Sequence, residues 1–193
     1  NIVSKNNLWN MVRDCNGNKK HLPKTYLLDN FNDNINFSKE YNDKKIYILK
    51  KNTNRKKGLK LFRGPKIMAF KEYEKGGYKL IQEFIENPYL VHNRIVVFRI
   101  YLVIYANQEY KYGVHKYGKC LYTNKDFNLE SLDNLRLITD SKLNLGEKYP
   151  KNLEQLNKYD SKVSMELLIK PVNTVVGCFK NYLKKIDDVF EHK

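Results

Sequence analysis

Short apolar runs alternate with polar stretches that carry glycine, proline or asparagine. Thr25-Tyr26-Leu27-Leu28 follows Pro23, whose ring biases its neighbours toward extended backbone, and reads as a short strand. Ile46–Leu49 and Leu59–Phe62 read as two strands on either side of a polar loop. Gly76 and Gly77 punctuate the chain before Leu80–Ile85, read as a buried strand, and Asn87-Pro88 marks a turn. The most apolar part, Ile95–Ala106, is rich in β-branched and aromatic residues and interrupted only by Arg99. It predicts one central strand buried on both faces. Asn107–Tyr110 then turns the chain into the alternating stretch ending at Gly118, which predicts an antiparallel hairpin. Beyond a polar region at 119–160, Val172, Val175, Val176, Phe179, Leu183, Ile186 and Phe190 recur at helical spacing. Pro171 lies in that pattern and is expected to start the helix or to kink it. Residues 1–43 are polar, with apolar anchors at Leu8, Trp9, Met11 and Val12.

A chain of 193 residues fits one domain, or a large piece of one, and can bury a core. Its 41% hydrophobic and 13% aromatic residues exclude a disordered composition. The net charge of +15 changes the picture more, because it favours polyanionic partners: nucleic acid, anionic lipid, nucleotide phosphates or an acidic protein tail. A solvated, lysine-rich surface of a compositionally biased genome is the other reading, and the two stand level.

Cys15, Cys120 and Cys178 are far apart and odd in number, without metal-ligand spacing, so reduced thiols are expected rather than a disulfide framework. His21, His92, His115 and His192 are scattered, and no metal site is expected from them. No apolar run approaches the length of a membrane span and the first residues lack a signal-peptide core, so a cytoplasmic protein with no membrane partner is expected. The first residue is not methionine, which suits a processed product or a fragment.

Chemistry concentrates around the first hairpin. Between Lys44 and Lys66 there are ten Lys or Arg and no acidic residue. Lys50 and the loop Lys51–Gly58 could cradle phosphates with ammonium and backbone N–H donors, and Gly58 would allow close approach or a positive φ. The loop is not a Walker A motif. On charge alone a solvated hairpin is the stronger reading. Arg99, if buried, needs an anionic partner: a phosphate, a substrate carboxylate or a structural carboxylate such as Glu83, the last being favoured. Gln82 and Glu83 end a strand that could offer its backbone to a flat base edge.

Their order adds to this. "LPKTYLL", "YILKKNTNRKKGLKLF" and "LIQEFIENPYLVHNRIVVFRIYLVIY" together resemble the tubulin-tyrosine ligase-like family of ATP-grasp enzymes, over roughly residues 8–180 and most strongly over 46–105. The resemblance implies an α/β (α+β) fold, ATP-grasp-like, of mostly antiparallel sheets with flanking helices. It would divide into an N-terminal segment 1–43, a nucleotide-clamping lobe 44–90 and part of the C-terminal lobe 91–193. Lys50 would contact the ATP phosphates, and Arg55, Lys57 and Gly58 would belong to the loop that covers them, although Lys56 stands where the family has its first loop glycine. Gln82, Glu83, Phe84 and Ile85 would form the hinge that reads the adenine edge. Arg99 matches the arginine of the family's K-F-D-x-R and would be catalytic. Thr139 and Asp140 fall on the Thr-Asn of a substrate-side segment. Lys50, Gln82 and Arg99 are then expected around one cleft.

The departures are as informative. Ile95 and Val97 occupy the lysine and aspartate positions of K-F-D-x-R, and Leu121 falls near an arginine of the next hairpin strand. The family's magnesium-binding carboxylates are expected after Lys193, so the chain reads as an incomplete ATP-grasp domain, inactive by itself. The family reaction uses ATP and magnesium to activate a carboxylate of tubulin, or of another acidic-tailed protein, for attack by the amine of tyrosine, glutamate or glycine. The alternative is a non-catalytic module that binds acidic tails or microtubules through its basic face. A nucleic-acid binder ranks below both, because no nucleic-acid motif is present.

Overall fold

The structure, a computed structural model, describes residues 4–15, 22–53, 58–107 and 109–191. It forms two compact units, Asn1–Glu86 with Thr174–Lys193, and Asn87–Asn173.

The first unit contains α1 (Lys5–Arg13), β1 (Thr25–Tyr26), α2 (Phe31–Glu40), β2 (Tyr47–Lys50), β3 (Leu59–Phe62), α3 (Lys66–Gly76) and β4 (Leu80–Glu83). Its sheet runs β1-β4-β2-β3, every pair antiparallel. Strand alternation sends Tyr26, Tyr47, Leu49 and Ile81 into one core with Phe37 of α2 and Ala69 and Tyr73 of α3. Phe37 is wholly buried, and the rings of Tyr26, Tyr41, Tyr47 and Phe70 meet it edge-on at centroid distances of 5.0–5.9 Å. Two of the helix ends are satisfied by a side chain or a glycine. Asn30 caps α2 by accepting from the Asp33 amide at 3.1 Å. Gly77, at φ 63°, lets the Tyr78 amide turn back to the Tyr73 carbonyl at 3.1 Å and closes α3.

The second unit contains β5 (Leu90–Val91), β6 (Arg94–Arg99), β7 (Leu102–Asn107), β8 (Glu109–Val114), β9 (Lys119–Thr123), α4 (Asn134–Leu137), β10 (Thr139–Asp140) and α5 (Leu153–Tyr159). One sheet runs β10-β9-β6-β5, and β7-β8 form a sheet of their own. Val91, Cys120, Tyr122, Tyr149 and Leu156 make its core, joined by Val96 and Phe98.

The single central strand expected over Ile95–Ala106 is two strands. The chain leaves the ladder at Ile100 and Tyr101 and changes partner, β6 pairing with β9 and β7 with β8. β6 is also not buried on both faces. Val96 and Phe98 pack inward while Val97 and Arg99 are exposed. A run of β-branched residues satisfies a hydrophobic window whichever face each side chain takes, which is why the division was hidden. The antiparallel hairpin expected after Asn107 is present as β7-β8.

The last helix, α6, spans Met165–Glu191 with Pro171 inside it rather than at its start. From Thr174 onward it belongs to the first unit. There Val175, Cys178 and Phe179 pack with Trp9, Met11 and Val12 of α1. Cys15 and Cys178 are joined by a disulfide, with Cα atoms 5.3 Å apart and a sequence separation of 163. The expectation of reduced thiols is therefore corrected for this pair; Cys120 alone is free and buried. Spacing along the chain carries no sign of a contact across such a separation.

Candidate functional site

The face of the first sheet opposite its aromatic core carries Thr25, Ile48, Lys50 and Gln82. Register explains the grouping: Gln82 lies opposite both Ile48 and Thr25, and Lys50 opposite Leu80. Diagonal neighbours on one face are within reach of long side chains. Lys50 Nζ donates to Gln82 Oε1 at 2.5 Å, Gln82 Nε2 donates to Thr25 Oγ1 at 2.6 Å, and Thr25 Oγ1 donates to the Pro23 carbonyl at 3.0 Å. Burial, with a smaller contribution from the nearby Lys5 ammonium, pushes Lys50 down to about 8. An ammonium held against desolvation and a second cation is a ready anion partner, because an anion relieves both penalties.

The loop after β2 is held at its base. The Lys51 amide donates to the Gly58 carbonyl at 2.8 Å. Gly58 is buried, and a Cβ there would meet the Thr53 hydroxyl and lie 3.3 Å from Lys51 Cβ, so its missing side chain serves the loop's own closure. It does not take a positive φ. Arg55 and Lys57 lie outside the described residues. Lys5 of α1 donates to the carbonyls of Lys51 at 2.9 Å and Thr53 at 2.6 Å. Asn6 and Asn52 bond reciprocally, the Asn6 amide to Asn52 Oδ1 at 3.3 Å and Asn52 Nδ2 to Asn6 Oδ1 at 2.8 Å.

At the end of β4 the roles separate residue by residue. The Gln82 side chain is in the Lys50 chain. Glu83 pairs with Lys45, and its amide donates to the Lys24 carbonyl at 2.8 Å. The Phe84 amide donates to the Ile46 carbonyl at 2.9 Å, and its ring is buried. Ile85 is 56% exposed, and its amide donates to no described group.

Arg99 departs from the expected burial. It is exposed at the end of β6, opposite Lys119, so the need for a buried counter-charge disappears. Thr139 lies opposite Thr123 and Asp140 opposite Tyr122. Lys119 and Thr123 are four residue steps apart on β9, so Arg99 and Thr139 stand about 13 Å apart along the strands. Asp140 closes a turn by accepting from the Lys142 amide at 3.0 Å. Lys50, Gln82 and the base of the loop are thus brought together in the first unit, while Arg99, Thr139 and Asp140 are spread along the sheet of the second.

Lys5, Asn6 and Thr25 were not singled out from sequence. The signal available for α1 was the i, i+3, i+4, i+7 series Leu8, Met11, Val12 and Cys15, which marks an amphipathic helix. Thr25 stood in a quoted motif without a role. Among the described residues no group of three or more His, Cys, Asp or Glu side chains could hold a metal ion. None of the helices among them is long and apolar enough to cross a membrane.

Antiparallel sheets flanked by helices define an α+β protein. Compared with known families, the sequence matches the tubulin-tyrosine ligase family over residues 1–190. The chain belongs to that family, and its fold is ATP-grasp-like. No curated protein matches it.

Proposed function

We propose that this chain supplies the nucleotide-binding part of an ATP-dependent amino-acid ligase of the family, acting in the cytoplasm on tubulin or another acidic-tailed protein. The observation that carries the reading is the Lys50–Gln82–Thr25 chain on one sheet face, beside a loop anchored at Lys51 and Gly58. Lys50 would hold a phosphate oxygen, and Arg55, Lys57 and Gly58 would belong to the covering loop. Gln82–Ile85 would form the adenine hinge, where the Ile85 amide is the donor left for a base edge. Bound ATP would supply the phosphoryl group that activates a carboxylate. The described residues fit the nucleotide's anionic end. Among them no group of three or more His, Cys, Asp or Glu side chains is placed to hold magnesium.

One observation favours the non-catalytic alternative. Ile95 and Val97 match the lysine and aspartate positions of the family pattern, one of its arginines falls near Leu121, and Val97 lies directly opposite Leu121. Apolar side chains offer no charge to a developing anion. Arg99, Thr139 and Asp140 then remain the substrate-side candidates, and the chain by itself is expected to bind ATP without ligating an amino acid, docking on acidic tails or microtubules.

Titration with a fluorescent ATP analogue tests the binding reading. Lys50→Ala should weaken binding about tenfold or more, as expected for loss of a charge-assisted contact. Equal affinity in the variant overturns the assignment of Lys50. Incubation with tubulin, ATP, magnesium and labelled tyrosine, glutamate or glycine tests the second point. Label incorporation abolished by Lys50→Ala would restore the catalytic reading.

A further inference from the structure

We infer that Cys15 is a redox modification site whose oxidation to the Cys15–Cys178 bridge fixes α1 and, through it, the loop that leaves β2. The consequence for ATP rests on the nucleotide-binding reading above; the coupling of bridge to loop does not.

The two ends of α1 do different things. Its first turn holds the loop through Lys5 and Asn6, with four hydrogen bonds to Lys51, Asn52 and Thr53. Just past its last turn, Cys15 is tied to Cys178 of α6, the Cα separation of 5.3 Å lying in the ordinary range for a bridge. A helix of nine residues is too short to persist in water without tertiary support. Support at the C-terminal end comes from the bridge and from Met11, Val12, Val175 and Phe179 packing around it. Removing the covalent tie leaves these apolar contacts, with polar ones such as the 3.9 Å ion pair of Arg13 with Asp33, to hold the helix that holds the loop.

The sulfurs differ in access, and this sets the order of the chemistry. Cys178 is 1% exposed, whereas Cys15 is half-buried. Cys15 is therefore the sulfur that a soluble disulfide reaches. Its thiolate attacks glutathione disulfide, forming a mixed disulfide and releasing one glutathione thiolate. The Cys178 thiolate then attacks the Cys15 sulfur and expels the second glutathione, so two protein thiols are oxidised and one disulfide is reduced to two thiols. The reverse begins with a glutathione thiolate at Cys15. Cys120 provides an internal contrast, because burial pushes its thiol up to about 11 and leaves it little thiolate to react.

The test uses the intact chain equilibrated at oxidising and reducing glutathione ratios. Peptide mapping should show a Cys15–Cys178 linked pair in the oxidised sample and none involving Cys120. Exchange of the Lys51 amide, protected by the Gly58 carbonyl, should speed up roughly tenfold on reduction, as for a local opening made easier. The Val96 amide of the second unit should be unaffected. Cys15→Ser should exchange fast at both ratios. Lys5→Ala should keep the bridge but exchange fast at both, since the coupling passes through Lys5. Absence of the linked pair, or a bridge that forms while Lys51 exchange stays constant in the unmodified chain, overturns the inference whether or not Cys15→Ser folds. Titrating the ATP analogue at both ratios separates the two readings. Failure to bind at either ratio sinks the nucleotide assignment alone, whereas an unchanged loop sinks this one.

Discussion

Val97 and Leu121 face each other across β6 and β9, and they differ sharply in exposure, at 47% and 6%. Two neighbouring apolar side chains thus have opposite tolerance for charge. Val97→Asp should cost less than about 1 kcal/mol, because the carboxylate stays hydrated. Leu121→Arg should cost roughly 2–5 kcal/mol, because it desolvates a cation with no carboxylate opposite. Urea unfolding of the two variants checks the contrast, and equal destabilisation would contradict it.

ATP-analogue binding should depend on pH through Lys50. In the free protein its ammonium is lost as pH rises through about 8. A bound anion favours the charged form, so affinity should be flat below about pH 7 and should fall above 8, by up to about tenfold per pH unit. Lys50→Met should bind more weakly and without that fall. Folding has its own sign: the folded pKa lies below the unfolded one, so the folded chain holds fewer protons between about 8 and the ordinary lysine range. The destabilisation from burying the ammonium is then present in full below 8 and relieved as pH rises through that window. Lys50→Met should accordingly unfold at a higher temperature than the unmodified chain at pH 7.

Phe37→Ala should be the most damaging truncation in the first unit. The side chain is fully enclosed and four aromatic rings rest on it, so the cavity cannot readily collapse. A loss of about 3–5 kcal/mol is expected, with Phe37→Leu less than half as costly. Chemical denaturation monitored by tyrosine fluorescence gives both values.

Gly118→Ala should destabilise where Gly146→Ala does not. Gly118 has φ 55°, and a Cβ there would lie 2.8 Å from the Arg99 carbonyl and closer still to the Phe98 ring. Nothing lies within 4 Å of a Cβ at Gly146. A cost of at least about 1–2 kcal/mol at Gly118 follows from the left-handed backbone alone. Thermal melts of the pair decide it.

Glutamate-rich tubulin-tail peptides should bind through screened charge, given a net charge of +15. Affinity should drop steeply from low to physiological salt. Salt-independent binding, or none at low salt, would count against an acidic partner.

Periodicity made the edges of the first sheet legible. Leu59–Phe62 matched its strand residue for residue, and Lys50 with Gln82 emerged from motif order before the sheet register explained why they touch. The exposure of Arg99 was hidden because an apolar run says how much is buried, not which face. The bridge, Lys5 and Thr25 were invisible for a related reason. Each acts through a partner far along the chain, and only the folded register brings that partner near.

The discontinuous make-up of the first unit bears on the order in which the molecule assembles during synthesis. Asn87–Asn173 is one continuous stretch and can close its sheets as soon as it has left the ribosome. The sheet of the first unit, made earlier, can close as well, but its α1 corner cannot, because Val175, Cys178 and Phe179 are needed to cover Met11 and Val12. Contacts of such high sequence separation form late and leave their early half exposed in the meantime. A nascent chain halted at Asn173 should protect the amides of β6 and β9 from exchange while those of α1 remain open. Until the final helix emerges, the amino-terminal one waits with an apolar stripe in water and a thiol at its end, a natural client for a chaperone.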